Sequence, residues 1–322
     1  MTNDILVTGS RGYIGSVLAK TLMEKGYNPH GVDKTSVGEG LIYGNFIQDD
    51  FASLAVVNYC IYHNIKTICH LAADASVPDS VVNPSKYFNN NVASLIILLD
   101  NLVKRGWRGN FIFSSSAAVY QPPIDGLLAE TDPTLPCNPY GLSKLIGEDV
   151  LREYQKAYGF NVACFRYFNV AGAWDDVGDH SLCDHVIQKM INAALINQPF
   201  TIFDDTKQTP DGTCVRDYLH VRDVCDAHLS VNDYFNKLPD GKKEFQIFNL
   251  GVGQGVSVKQ LVNSFERVTG KQLQTIIGQG RPGDPDFLVA DGSRITRVTD
   301  HTYKHSQLDN IILTACKFGG VL

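Results

Sequence analysis

The chain opens with a regular alternation of two hydrophobic patterns. Short runs rich in β-branched and aromatic residues, at Ile5 to Thr8, His30 to Asp33, Thr67 to Leu71, Asn110 to Ser114 and Asn161 to Arg166, read as strands. Between them, apolar residues recur every three or four positions near 13 to 25, 52 to 63, 84 to 106 and 140 to 158, which predicts helices. Strands alternating with helices imply right-handed crossovers and a parallel sheet covered on both faces, so the expected fold class is α/β, a doubly wound parallel sheet. After Gly172 the rhythm breaks, and Gly and Pro gather at Asp211-Gly212, Gly251 to Gly255 and Gly278 to Pro285. The expected division is a first domain over 1–172 and a smaller α/β substrate-binding lobe over 173–322, with parts near 215–250 packing back on the first domain. In such sheets ligands bind beyond the carboxyl ends of the strands, which places a cleft between sheet and lobe.

Composition narrows the function classes. The 322 residues carry a formal charge of -6, so no general field draws the chain to nucleic acid or an anionic membrane, and any phosphate must be held locally. The cysteines show no C-x-x-C or zinc spacing, so no metal site is expected, and Cys60 and Cys137 read as small buried hydrophobes. The longest apolar stretch, Leu95 to Leu99, ends at Asp100 and is too short to span a bilayer. With no basic apolar leader at the start, a reducing, cytoplasmic setting is expected.

Directly after the first strand stands Gly9-Ser10-Arg11-Gly12-Tyr13-Ile14-Gly15, a G-x-x-G-x-x-G run that opens a helix. Glycines there allow a tight turn and let the backbone approach a pyrophosphate at the helix N-terminus, where unpaired N–H groups favour negative charge. Asp33 ends the second strand, and an acid at that position suits an adenosine ribose with free hydroxyls. That favours NAD over NADP, although the adjacent Lys34 pulls the other way. Asp50, taken to close the third strand, is a candidate partner for the adenine amino group.

Tyr140-Gly-Leu-Ser-Lys144 follows Asn138-Pro139, and a proline just inside a helical pattern marks its start. Positions i and i+4 share a helix face, so the phenol and ammonium point into one cleft. A free phenol titrates near about 10. A nearby ammonium and the positive nicotinamide are expected to bring Tyr140 toward the range of a general base. The run Phe111-Ile112-Phe113 leads into Ser114-Ser115-Ser116, which sets hydroxyls at a strand end beside that helix, with Ser116 able to bond a reacting sugar oxygen.

Taken together, GSRGYIG, FIFSSSAAVY, YGLSK, FRYFN, DGTCVRDYLHV, NLGVGQGVSV and RPGD resemble the extended short-chain dehydrogenase/reductase family, and within it the UDP-glucose 4-epimerases, from about residue 4 to 291. The resemblance implies a Rossmann sheet and NAD-dependent inversion at C4 of a UDP-hexose through a 4-keto sugar. It implies Tyr140 as base, Lys144 ordering the nicotinamide ribose and lowering the phenol pKa, and Ser116 orienting the 4-oxygen. By the same likeness the cofactor would be held by Gly9, Arg11, Gly12, Tyr13, Ile14, Gly15, Asp33, Lys34, Asp50, Phe51, Leu71, Ala72, Ala73, Ala75, Asn90, Ser114, Tyr140, Lys144 and Phe168. The nucleotide sugar would meet Ser116, Tyr140, Asn169, His185, Val186, Thr201, Phe203, Arg216, Arg281, Asp284 and Leu288. The arginines make physical sense, because a buried diphosphate needs planar multidentate donors. The helices over 84–106 and 140–158 resemble those that pair across the family's dimer, so a homodimer is expected.

Departures from the family pattern matter as well. Many epimerases carry Lys where this chain has Ala75, so one cofactor contact is missing. Gln121 replaces a glycine, and Leu288 leaves open whether N-acetylated sugars fit. The 4,6-dehydratases place an Asp-Glu pair after the catalytic hydroxyl, whereas this chain has Ala117-Ala118 and no agent for water loss. The remaining alternatives are a uronate epimerase or decarboxylase of the same group, or a non-catalytic NAD-binding sensor.

Overall fold

The computed structural model describes residues 3–35, 43–121, 126–178, 185–203, 205–280 and 285–322. The first half runs β1 (Asp4–Thr8), α1 (Tyr13–Glu24), β2 (Asn28–Asp33), β3 (Asn45–Gln48), α2 (Leu54–Tyr62), β4 (Thr67–His70), α3 (Val77–Val82) and α4 (Pro84–Tyr87). It continues with α5 (Ser94–Lys104), β5 (Asn110–Ser116), α6 (Pro139–Tyr158), β6 (Asn161–Tyr167) and β7 (Asn169–Ala171). The second half holds α7 (Val186–Leu195), β8 (Phe200–Phe203), β9 (Val215–His220), α8 (Val221–Asn236), β10 (Phe245–Leu250), β11 (Gly255–Ser257), α9 (Val258–Thr269), β12 (Thr275–Gly278), β13 (Phe287–Leu288), α10 (Ser293–Thr299) and α11 (Leu308–Phe318).

Among the described residues, seven strands form one parallel sheet in the order β10-β6-β5-β4-β1-β2-β3. The near-continuous apolar character of these strands follows from burial on both faces. Successive side chains point to opposite sides, so Ile5, Val7 and Ile112 enter one core with Val17, Leu18 and Val224, while Leu6, Phe111 and Phe113 enter another with Val56, Leu95 and Leu98. Each such large side chain contributes about 1.5 to 3 kcal/mol through its burial. β10 and α8 come from the second half of the sequence yet belong to this layer, with β10 in register on β6 and α8 packed on α1.

The helix expected over 84–106 is broken into α4, a π-helical turn at Phe88–Ala93 and α5. The extra residue of a π turn re-aims side chains, and here Asn91 holds the chain after β4. Its Oδ1 accepts from the Asp74 N–H at 2.9 Å, and its Nδ2 donates to the Asp74 carbonyl at 3.0 Å and to Ser143 on α6. A second correction concerns β3, which ends at Gln48, so Asp49 and Asp50 both lie beyond it. A third concerns Cys137, which is exposed on the loop before α6 while the other described cysteines are buried.

The second lobe is organised by β9, which pairs antiparallel with β11 and parallel with β13 and β7. β8 and β12 form a separate parallel pair. A third core joins these strands to α7, α9 and α11 through Ile187, Met190, Leu261, Phe265, Ile311 and Ile312. Buried Asp217 on β9 stitches the lobe to the sheet, because its carboxylate accepts N–H groups from Val252 (2.9 Å), Gly253 (2.9 Å) and Ala290 (3.1 Å).

Replacing Asp217 by Ala strands those donors, each costing about 1 to 3 kcal/mol when left unmade. Urea unfolding of Asp217→Ala should show a loss of about 3 kcal/mol or more. A loss below about 1 kcal/mol would contradict this role for the carboxylate.

Candidate active site

The cleft opens where the strand order reverses, between β1 and β4. There the backbone after β1 touches the backbone after β4. Gly9 has φ of +70°, and a Cβ on it would stand 2.8 Å from the Ala72 nitrogen; one on Gly15 would stand 2.0 Å from the Gly9 carbonyl oxygen. Neither position admits a side chain. Gly12 is the N-cap of α1, which has no side-chain cap and no acidic residue in its first turn. With no side chain competing at this end, the helix N-terminus suits an anion such as a dinucleotide's pyrophosphate.

At the end of β2, Asp33 accepts the Arg11 N–H (3.1 Å) and the Thr35 N–H (3.0 Å) on its two oxygens, which fixes the carboxylate and leaves further lone pairs for a ribose diol. A cavity of about 560 Å³ runs past Gly9, Gly12, Asp33, Lys34, Asp49 and Phe51 to Leu71, Ala72, Ala73, Asp74, Lys86 and Asn90. That volume lies within the range of cofactor sites, so glycine cradle, ribose acid and cavity together fit NAD. Its far wall is held by a buried chain in which the Thr8 hydroxyl meets His70 Nδ1 at 2.9 Å and accepts the Ala72 N–H at 3.2 Å. Burial keeps that imidazole neutral, with its pKa pushed down to about 3.

Asp50 does not line this cavity; its carboxylate pairs with Lys34 at 3.0 Å. Ala75 is exposed and also stands outside the lining. A larger cavity, about 800 Å³, lies at the amino ends of β1 and β4 among Tyr27, Lys66 and Asn232. Size alone would select it, but it is at the wrong edge of the sheet for a strand-end site.

Ser116 ends β5 and Tyr140 and Lys144 begin α6, whose start is set by Pro139 and by the Asn138 side chain accepting the Gly141 N–H at 2.8 Å. The Ser116 hydroxyl accepts the Ala118 N–H at 3.1 Å and lies close enough to the Tyr140 phenol to lower its pKa. Lys144 is buried and donates to the Ser114 carbonyl (2.7 Å) and hydroxyl (3.3 Å), with its ammonium 5.0 Å from the Phe113 ring centre. One turn further along α6, fully buried Glu148 pairs with Arg166 of β6 at 2.7 Å and accepts the Ser115 hydroxyl, tying the helix to both strands.

Burial raises the Tyr140 pKa, and the neighbouring Ser116 hydroxyl opposes that rise in part. The Lys144 ammonium is itself pushed down to about 7 by burial and spends its hydrogen bonds on Ser114.

Across the cleft a second cavity, about 240 Å³, is lined by Asn169, His185, Val186, Thr201, Phe203 and Arg216. Strands β7, β8 and β9 and the start of α7 converge there. His185 is the N-cap of α7, not an interior helical residue. Arg216 donates to the carbonyls of Val215 and Pro285, and Leu288 on β13 stands in register with it. Phe168 is buried in the sheet core, and the Tyr13 hydroxyl donates to the Gly172 carbonyl at 2.6 Å. Arg281 and Asp284 lie outside the described residues.

Lys189, Cys214 and Tyr218 also line this second cavity, as Asp49, Asp74 and Lys86 line the first. For Lys189 the available signal was helical spacing, since it follows His185 by four positions. Asp49 was hidden by its neighbour in the Asp49-Asp50 pair.

Residues 5 to 251 match the NAD dependent epimerase/dehydratase family. A UDP-glucose 4-epimerase of Azospirillum brasilense is 36% identical, with 97% of this chain and 90% of that protein covered. A crystal structure of UDP-glucose 4-epimerase from Brucella ovis in complex with NAD superposes with a TM-score of 0.92 at 36% identity, covering 99% of both chains. A UDP-glucose 4-epimerase from Stenotrophomonas maltophila, with bound NAD and formylated UDP-arabinopyranose, gives a TM-score of 0.92 at 30% identity over 98% of both.

Lys144 yields a prediction whose sign follows from its pKa. A lysine at about 7 when folded and 10.5 when free binds more protons in the unfolded chain between those values. Its penalty is full below pH 7 and relieved as pH rises toward about 10. In nucleotide-free protein, Lys144→Met should melt several degrees higher than the wild type at pH 6.5, and the gap should narrow by pH 9.5. A gap that stays constant across that range would contradict burial of a depressed lysine.

Proposed function

The chain belongs to the NAD dependent epimerase/dehydratase family, and on that premise we propose that it inverts carbon 4 of a UDP-hexose, interconverting UDP-glucose and UDP-galactose. It is an isomerase that uses NAD. The observation that carries the reading is one cleft with a dinucleotide cradle on the sheet side, Ser116, Tyr140 and Lys144 at its centre, and an arginine-bearing cavity on the lobe side. Bound NAD supplies a reversible hydride acceptor, so that a 4-keto sugar forms and is reduced on its other face.

The protein's own part is positioning and proton transfer. Tyr140 takes the 4-hydroxyl proton and later returns it, while Ser116, beside the phenol, holds the sugar oxygen in line. Lys144, fixed on the Ser114 carbonyl, orders the nicotinamide ribose and brings positive charge to the phenolate as it forms. Gly9, Gly12 and the start of α1 hold the pyrophosphate, and Asp33 the adenosine ribose. Arg216 and Asn169 hold the sugar nucleotide's diphosphate end, with His185, Val186, Thr201 and Phe203 around its base. Leu288, in register with Arg216, stands near the sugar, where its size decides whether an N-acetyl group fits.

The protein acts as a homodimer through α5 and α6, supported by half-exposed Ile97 and Leu142 and by exposed Val81 and Val82 on neighbouring α3. Among the described residues no helix is long and apolar enough to cross a membrane, and the reduced thiols fit a cytoplasmic enzyme.

Purified protein incubated with UDP-galactose should form UDP-glucose without added reductant or oxidant. Tyr140→Phe should fold normally and lower the rate by about a hundredfold to ten-thousandfold, the usual range for losing a general acid-base group. Activity near wild type in that variant, or conversion of UDP-glucuronate alone, would overturn the proposal. Conversion of UDP-N-acetylglucosamine tests the Leu288 reading, and sedimentation at twice the monomer mass tests the dimer.

A further inference from the structure

The cofactor cavity has an unbalanced lining. Its carboxylates are Asp33, Asp49 and Asp74, and its cations are Lys34 and Lys86. A diphosphate entering such a site needs a positive charge aimed at it, beyond the N–H groups of the glycine loop. Lys34 follows the ribose-binding acid at the end of β2 and is engaged by Asp50 at 3.0 Å. Lys86 comes from the opposite wall, on α4, between Asp74 (3.2 Å) and Asp79 (2.9 Å).

The two carboxylates around Lys86 are not equivalent. Asp79 belongs to α3 and is fixed by Asn83 and the Tyr87 hydroxyl as well as by the lysine. Asp74 lines the cavity itself, and its backbone is pinned by Asn91. Lys86 is half-exposed and long, so it can keep Asp79 while exchanging Asp74 for another anion in the same cavity. Ala75, beside Asp74, offers no charge.

We propose that Lys86 is the cationic clamp on the cofactor's diphosphate, anchored by Asp79 and held in competition by Asp74. The inference rests on the reading of this cleft as an NAD site, and it makes retention of the cofactor depend on a carboxylate that can recapture the lysine. The competition has a sign: removing Asp74 strengthens cofactor binding, and removing Lys86 weakens it.

Titration of nucleotide-free protein with NADH, followed by cofactor fluorescence, and competition with ADP-ribose and with adenosine, separate the contributions. Lys86→Met should weaken NADH and ADP-ribose about tenfold and leave adenosine, which carries no phosphate, unchanged. Lys86→Arg should restore most of the loss, Asp74→Asn should tighten NADH several-fold, and Asp79→Asn should stay within about twofold of the wild type. Unchanged NADH affinity in Lys86→Met overturns the proposal, as does equal weakening of adenosine, which would mean that the loop after β4 had simply been disturbed. A wild type that binds no NADH would overturn the cofactor reading itself, a different outcome from a wild type that binds while Lys86→Met matches it.

Discussion

The cleft depends on one backbone contact, Gly9 against Ala72, where the chain leaving β1 presses on the chain leaving β4. A side chain on Gly9 would drive these strand ends apart at the point where the sheet order reverses. With that contact in place, α1 starts one turn later with no side-chain cap, and Asp33 reaches across from β2 to the Arg11 backbone. The opposite wall is set from below, as His70 and Thr8 support Ala72 and Asn91 grips Asp74. Cofactor recognition in this fold is therefore largely a matter of backbone geometry, with few side chains adding charge.

The reacting centre is built on the opposite principle. Lys144 is buried with its charge at a cost, and Glu148, on the same helix, is fully buried beside Arg166. A buried ion pair gives little net stability, but removing either partner is expensive, which suits it to holding a helix in one position. The pair fixes α6 to β5 and β6, so that Ser116 and Tyr140 meet. Stability lost at Lys144 is offset elsewhere in the core, as is common for sites that need strained or desolvated groups.

Much of this was legible in the sequence because local rules and global fold agree. The short β-rich runs, the glycine run after the first strand, Pro139 and the hydroxyl run at the end of β5 each report a local backbone requirement. What escaped depends on contacts far apart in the chain. The helix over 84–106 has helical spacing throughout, yet Asn91's bonds to Asp74 and Ser143 impose a π turn. No local pattern gives Asp217 its role, which comes from Val252, Gly253 and Ala290 around it. Desolvation of the phenol is likewise invisible in the spacing of Tyr140 and Lys144, because it depends on the surrounding core.

The central claim is that hydrogen leaves sugar C4 as hydride and returns to the same carbon without meeting solvent. Epimerisation of UDP-galactose deuterated at C4, in ordinary water, tests it most directly. The expected product is UDP-glucose that keeps its deuterium at C4. Product carrying solvent hydrogen there would contradict it.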